Sequence, residues 1–169
     1  MKFQLLLCVT MIFSVIATAD DTASELDAVN TVIDNFHAAA AQGDKERYLG
    51  LMTDDSVYLG TDEWERWPKE PEFSEYVDAN FKDGAGWTFT PAERAIAFSD
   101  SHTIAWFDEV VVSEQYGRFR GTGVLSREKG KWLIEHYALS FLVLNENWEE
   151  VTALTKDTLE MKRSNEIRE

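Results

Sequence analysis

Cysteine, histidine and positive charge are all scarce in this chain. Its 169 residues hold one Cys, three His and 16 Lys+Arg against 31 Asp+Glu, a formal net charge of −15. A single cysteine cannot close a disulfide within the chain, which excludes a disulfide-stapled scaffold. The acidic balance excludes the basic footprint by which nucleic-acid binders neutralise phosphate. His37, His102 and His136 lack the short spacings of zinc ligands. Neither a G-x-S-x-G nucleophile elbow nor a phosphate-binding P-loop occurs, and Asp54-Asp55 and Asp62-Glu63 do not make the Asp/Asn ladder of a calcium loop. No metal and no cofactor is expected. What is abundant is core-forming material: 44% apolar residues, with six Trp and ten Phe, which a disordered chain would not carry. The length suits one domain.

The one long apolar run lies at the start. Lys2 is followed by Leu5, Leu6, Leu7, Val9, Met11, Ile12, Phe13, Val15 and Ile16, then by the small residues Ala17-Thr18-Ala19 and Asp20. This is the order of a secretory signal, and the run is shorter than the roughly 20 residues of a membrane span. Cleavage after Ala19 is expected, giving an exported protein, periplasmic or secreted, with no membrane anchor. The only thiol, Cys8, would leave with the signal.

Beyond it, Leu26, Val29, Ile33, Phe36 and Ala40 recur at helical spacing after a capping-box pattern at Thr22–Glu25, and Gly43 supplies a stop. Asp44 can cap a second short helix carrying Tyr48, Leu49 and Met52. Val57-Tyr58-Leu59 reads as a short strand broken by Gly60-Thr61-Asp62. The segment from Gly60 to Pro71, with its tryptophans, acids and two prolines, reads as a loop across a cavity mouth. Phe73, Tyr76, Val77 and Phe81 predict a third helix ending near Gly84. Four runs, 87–98, 103–113, 118–127 and 131–143, are rich in Val, Ile, Phe, Trp and Thr and are joined by short turns, the mark of an antiparallel meander. Asn147 to Glu150 then opens an amphipathic helix with a charged tail, 147–169, behind a domain spanning 20–146. Helices before an antiparallel sheet make an α+β layout, with the helices covering one face. The last two strands are apolar on both faces, so the second face needs a cover. A second copy of the chain is the simplest one, and the C-terminal helix is the alternative.

The order of elements, with Phe36-His37 through Gly43-Asp44, Tyr58 to Asp62 with Glu65 and Trp67, Arg94-x-Ile96, Ala105 to Glu109, Arg120 to Leu125, and Gly130-Lys131-Trp132 leading to Leu139-Ser140, resembles the SnoaL-like domains of the nuclear-transport-factor-2-like superfamily. The resemblance runs from about Ala23 to Asn145. It implies a cone of helices on a curved sheet around an internal pocket, often dimeric, with no single activity: isomerases, cyclases, dehydratases and binding or assembly domains share the fold. The places that ketosteroid isomerase chemistry requires fall near Phe36, Gly60 and Thr122, none of which can act as the base or the oxyanion donors.

A three-residue turn, Glu128-Lys129-Gly130, would pair Arg127 with Lys131, Val124 with Ile134, Thr122 with His136 and Arg120 with Ala138. Arg120, Thr122, His136 and Ser140 would then share a face, which the resemblance turns toward the pocket; a two-residue turn shifts the register by one. Arg120 suits a carboxylate, and His136 suits proton transfer or plain hydrogen bonding. Arg120 with Glu109 equally reads as a structural ion pair. By analogy Asp62, Glu109 and Asp108 are acid candidates, and His37 either faces inward or flanks its helix. Arg94 belongs to a sheet edge or a pocket wall. Trp64, Trp67, Trp87 and Trp106 either pack the core or wall a flat ligand. The expected ligand-binding set is Tyr58, Trp64, Trp67, Arg94, Trp106, Arg120, Thr122, His136 and Ser140, with His136, Asp62 and Glu109 the catalytic candidates. Three functions fit: an exported pocket protein for a small, organic, anionic or polar ligand; a small-molecule enzyme of isomerase, cyclase or hydrolase type using His and carboxylate; or a dimerising assembly module.

Overall fold

The computed structural model describes residues 19–166. The proposed signal therefore lies outside the described residues, except for Ala19, where the first helix begins. The elements are α1 (Ala19–Ala41), α2 (Lys45–Gly50), β1 (Met52–Leu59), β2 (Arg66–Pro68), an irregular helical turn (Lys69–Phe73), α3 (Ser74–Asn80), β3 (Thr90–Phe98), β4 (Ile104–Ser113), β5 (Gly117–Glu128), β6 (Lys131–Phe141), a 3-10 turn (Asn145–Asn147) and α4 (Trp148–Glu166).

Local chemistry explains most boundaries. Gly43 ends α1 at φ +62°, where a Cβ would also meet the Ala85 backbone at 2.8 Å. Asp44 caps α2 by accepting from the Arg47 N–H at 3.1 Å. The Thr22–Glu25 pattern does not cap α1, because the helix already runs through it.

Six strands form one open, mixed sheet in the order β2-β1-β6-β5-β4-β3. The β3 to β6 meander is antiparallel, as its short turns require. β1 departs from the all-antiparallel expectation: it lies parallel to β6, with Tyr58 opposite Tyr137. The long excursion through α3 and four strands separates the two, which is what a parallel pairing needs.

The β5–β6 hairpin corrects the expected register. Its loop has two residues, Lys129 and Gly130, both at positive φ (49° and 85°), and Glu128 rather than Arg127 faces Lys131. An extra residue at Glu135 then bulges β6 between the pairs Leu125–Ile134 and Val124–His136, so that Thr122 faces Ala138 and Arg120 faces Ser140. The bulge restores the side-chain parity that the shorter loop removed.

The helices cover the face bearing Phe107, Val111, Leu125, Ile134, Tyr137 and Leu139, which pack with Val29, Ile33, Phe36 and Ala40 of α1 in one core. Ring stacking continues that core through Phe36 on Tyr48 (centroids 4.2 Å apart) and Tyr58 on Phe73 (4.4 Å), pairs worth about 0.5–1.5 kcal/mol each beyond burial. Two glycines of β5 make the inner face possible. Gly121 and Gly123 lie opposite Glu109 and Phe107, and a Cβ on either would come within 2.9 Å of those side chains. Helix α4 does not cover the outer face. It meets the body at the loop Thr61–Trp64, where Lys162 Nζ lies 3.9 Å from Asp62.

Candidate functional site

Two neighbouring features with no side chain in common lie on the helix side of the sheet, in contact where Tyr137 of the one stacks against Tyr58 of the other with centroids 5.5 Å apart. The first is a buried charged cluster. Glu109, on β4, is 1% exposed. Its Oε1 lies 2.7 Å from His37 Nε2 and accepts from the Tyr137 hydroxyl at 3.2 Å; its Oε2 accepts from Arg94 Nε at 3.0 Å. Arg94, opposite Glu109 on β3, also donates to Asn30 (3.0 Å) and Asp34 (2.8 Å) of α1. Burial pushes the Glu109 carboxyl up, but His37 and Arg94 outweigh it and hold the group below the usual carboxylate range. The cluster thus ties α1 to the two strands beneath it. Every oxygen of Glu109 is engaged, which fits a structural role better than that of a free general base.

The second feature is a pocket of about 760 Å³ that adjoins the cluster, since Gly121 lies between Glu109 of β4 and the pocket-lining Leu139 of β6; its size suits a drug-like organic molecule. Tyr58 of β1, Trp67 of β2, Tyr76 of α3, Trp87 and Phe89 before β3, Tyr116 before β5, Phe119 of β5, and Leu139 and Phe141 of β6 wall it; Gly60, Thr61, Glu65 and Gln115 complete it. Trp67 stacks on Tyr76 with centroids 4.4 Å apart. Burial raises the Tyr58 and Tyr76 phenols above their ordinary value, and the negative charge of Glu65 adds to both. The tyrosines are neutral donors at physiological pH. The segment that begins at Gly60 supplies Gly60, Thr61, Glu65 and Trp67 to the pocket wall, but it is not the loop expected as far as Pro71: Arg66–Pro68 pair with β1 as β2, and a helical turn follows from Lys69.

Of the expected ligand-binding residues, Tyr58 and Trp67 line this pocket. Trp64 points outward, 70% exposed, in the groove beneath α4. Arg94 is spent in the buried cluster. Arg120, Thr122, His136 and Ser140 do share one face, but it is the face turned away from the helices, where Trp106 is also exposed. There Arg120 pairs with Asp108 at 3.2 Å rather than with Glu109. The physical reason is that Phe119, Gly121, Gly123 and Leu125 are the buried positions of β5, which sends the intervening residues outward. The catalytic candidates are not brought together: His136 is on the outer face, Asp62 is in the exposed loop, and Glu109 is in the buried cluster. His37 faces inward, 7% exposed.

The residues missed were Glu65, Tyr76, Phe89, Gln115, Tyr116, Phe119, Leu139 and Phe141. Leu139 and Phe141 had a signal, since they alternate with Tyr137 on one apolar face. Among the described residues, no three His, Cys, Asp or Glu side chains converge as metal ligands do.

Residues 29–144 match the family model of the SnoaL-like domain. Comparison with curated proteins finds no match. Among solved structures, the chain is similar to a nuclear-transport-factor-2-like protein of unknown function from Pseudomonas putida, at 16% identity over 75% of this chain and 92% of that one, with a TM-score of 0.61. It is also similar to a protein from Shewanella frigidimarina provisionally assigned as a ketosteroid isomerase (22% identity, 67% and 94% covered, TM-score 0.55). A third, provisionally a Ca/calmodulin-dependent kinase II association domain from Exiguobacterium sibiricum, shares 16% identity over 72% and 96%, with a TM-score of 0.56. At these identities the structures share the fold.

Proposed function

The chain belongs to the SnoaL-like domain family, and from the pocket its fold encloses we propose that it binds a small, flat organic molecule. The observation that carries this reading is the wall of stacked aromatic side chains around about 760 Å³ of space. Among the described residues the lining holds one carboxylate and neither His, Lys nor Arg, which favours binding over acid–base turnover. It also moves the expected ligand away from an anion, because Arg120 and His136 face elsewhere. The test is a thermal-shift and tryptophan-fluorescence titration with a panel of flat organic molecules. At least one should raise Tm and perturb the fluorescence, and Trp67→Leu should abolish both effects. A panel without effect on a well-folded protein would overturn the reading.

Two further parts of the proposal rest on other residues. Removal of Met1–Ala19 on export would give protein beginning at Asp20, and N-terminal sequencing of exported material tests it. A second copy is the proposed cover of the outer sheet face, supported by Trp106, 48% exposed opposite Val124. Light scattering should give a dimer, converted to monomer by Trp106→Glu.

A further inference from the structure

Among the described residues that line the pocket, Glu65 is the one that carries a charge, and it is held in place. Its Oε2 accepts from the backbone N–H groups of Thr61 (2.7 Å) and Asp62 (3.1 Å). Gly60 makes room for this: a Cβ there would stand 2.2 Å from the same oxygen. The carboxylate is thus folded back across its own loop and fixed at the pocket wall. Trp67, two residues further on, stacks on Tyr76, and Tyr76 lies beside Trp87 with centroids 5.8 Å apart. The charge of Glu65 reaches both Tyr58 and Tyr76. Electron-rich ring faces and a fixed anion in one half-enclosed space attract the same kind of ligand. The net charge of −15 draws that kind of ligand in from solution.

We infer that the ligand is an organic cation, a substituted ammonium group on an apolar body, with Glu65 as its counter-charge and Trp67, Tyr76 and Trp87 as its walls. The inference rests on the pocket-binding function proposed above and specifies its ligand class. A carboxylate ligand would meet no cationic side chain in the lining and would be repelled by Glu65. A neutral ligand would gain the aromatic contacts but nothing from the negative charge of Glu65.

Three probes with the same aromatic body test this by calorimetry: benzyltrimethylammonium, its neutral carbon isostere neopentylbenzene, and phenylacetate. The cation should bind about tenfold or more tightly than the isostere, equivalent to about 1.4 kcal/mol, and phenylacetate should bind most weakly. Glu65→Gln retains an oxygen for the Thr61 and Asp62 N–H groups. It should erase the cation's advantage and leave the isostere unchanged. In the unaltered protein, raising the salt concentration should shrink the cation-to-isostere ratio, a measurement that needs no variant. Equal binding of cation and isostere, or an advantage that survives both Glu65→Gln and salt, overturns the cation assignment while leaving the pocket function standing. Failure of all three probes to bind overturns the pocket reading itself.

Discussion

His37 and Glu109 stand 72 residues apart in the chain, yet His37 Nε2 lies 2.7 Å from Glu109 Oε1. Both are almost wholly buried. Arg94 and Tyr137 hold the same carboxylate, so the helix α1, the edge strand β3 and the central strands β4 and β6 meet at one residue. A carboxylate so committed ties the helix to the sheet and takes no part in the lining of the neighbouring aromatic pocket.

Glu109→Ala should cost about 3–5 kcal/mol, because it leaves the Arg94 guanidinium, 10% exposed, without its main counter-charge. That is a large share of a typical domain's stability. Tyr137→Phe removes one hydrogen bond to the same carboxylate and should cost about 1.5 kcal/mol. Urea unfolding of the two variants checks the order; equal costs would contradict the cluster's proposed role.

The same cluster sets the acid limit of stability. The folded Glu109 carboxyl lies below its ordinary value of 4.5, so the unfolded chain binds its proton more readily. This contribution is complete above pH 4.5 and is lost as pH falls through the folded value. The expected result is a midpoint of urea unfolding that drops below about pH 4.5, with a shallower drop in Glu109→Gln.

The alkaline limit belongs to the tyrosines. Burial raises Tyr48, Tyr58 and Tyr137 above the ordinary 10.0, with neighbouring groups adding to each. The folded state then holds protons that the unfolded chain releases, so stability is full below pH 10 and falls as pH rises beyond it. The phenolate absorbance of these three buried tyrosines should appear together with loss of structure rather than before it.

Gly123→Ala places a Cβ 2.5 Å from the Phe107 ring and 2.7 Å from the His136 carbonyl oxygen. The backbone carbonyl cannot move aside as a flexible side chain could, so a destabilisation of about 1–3 kcal/mol is expected. A Tm unchanged from the parent protein would refute the close approach of β4 and β6 to this glycine.

Arg120→Ala and His136→Ala lie on the outer face and should leave ligand binding in the pocket unchanged. The Arg120–Asp108 pair is about half exposed, so solvent screening limits its contribution and Arg120→Ala should change stability by less than about 1 kcal/mol. Loss of ligand binding in either variant, without loss of fold, would move the site to the other face of the sheet.

The sequence by itself determined the order of the four helices and the four strands of the meander, but not β2, which lies in a segment read as loop, nor the start of β1 at Met52, a residue read as part of α2. The 3.6-residue period of Val29, Ile33, Phe36 and Ala40 marked the buried face of α1, and the turns after Gly43 and at Lys129-Gly130 follow from residue chemistry. It also placed Arg120, Thr122, His136 and Ser140 on a common face. Only the tertiary structure decided which face the helices cover. Alternation defines two sides of a strand without naming the inner one, and both sides here carry apolar residues. The helices take the side where Gly121 and Gly123 leave room for Glu109 and Phe107, and the bulge at Glu135 aligns Tyr137 with it. The polar set faces outward as a result, and the pocket is left to Glu65 and the aromatic rings.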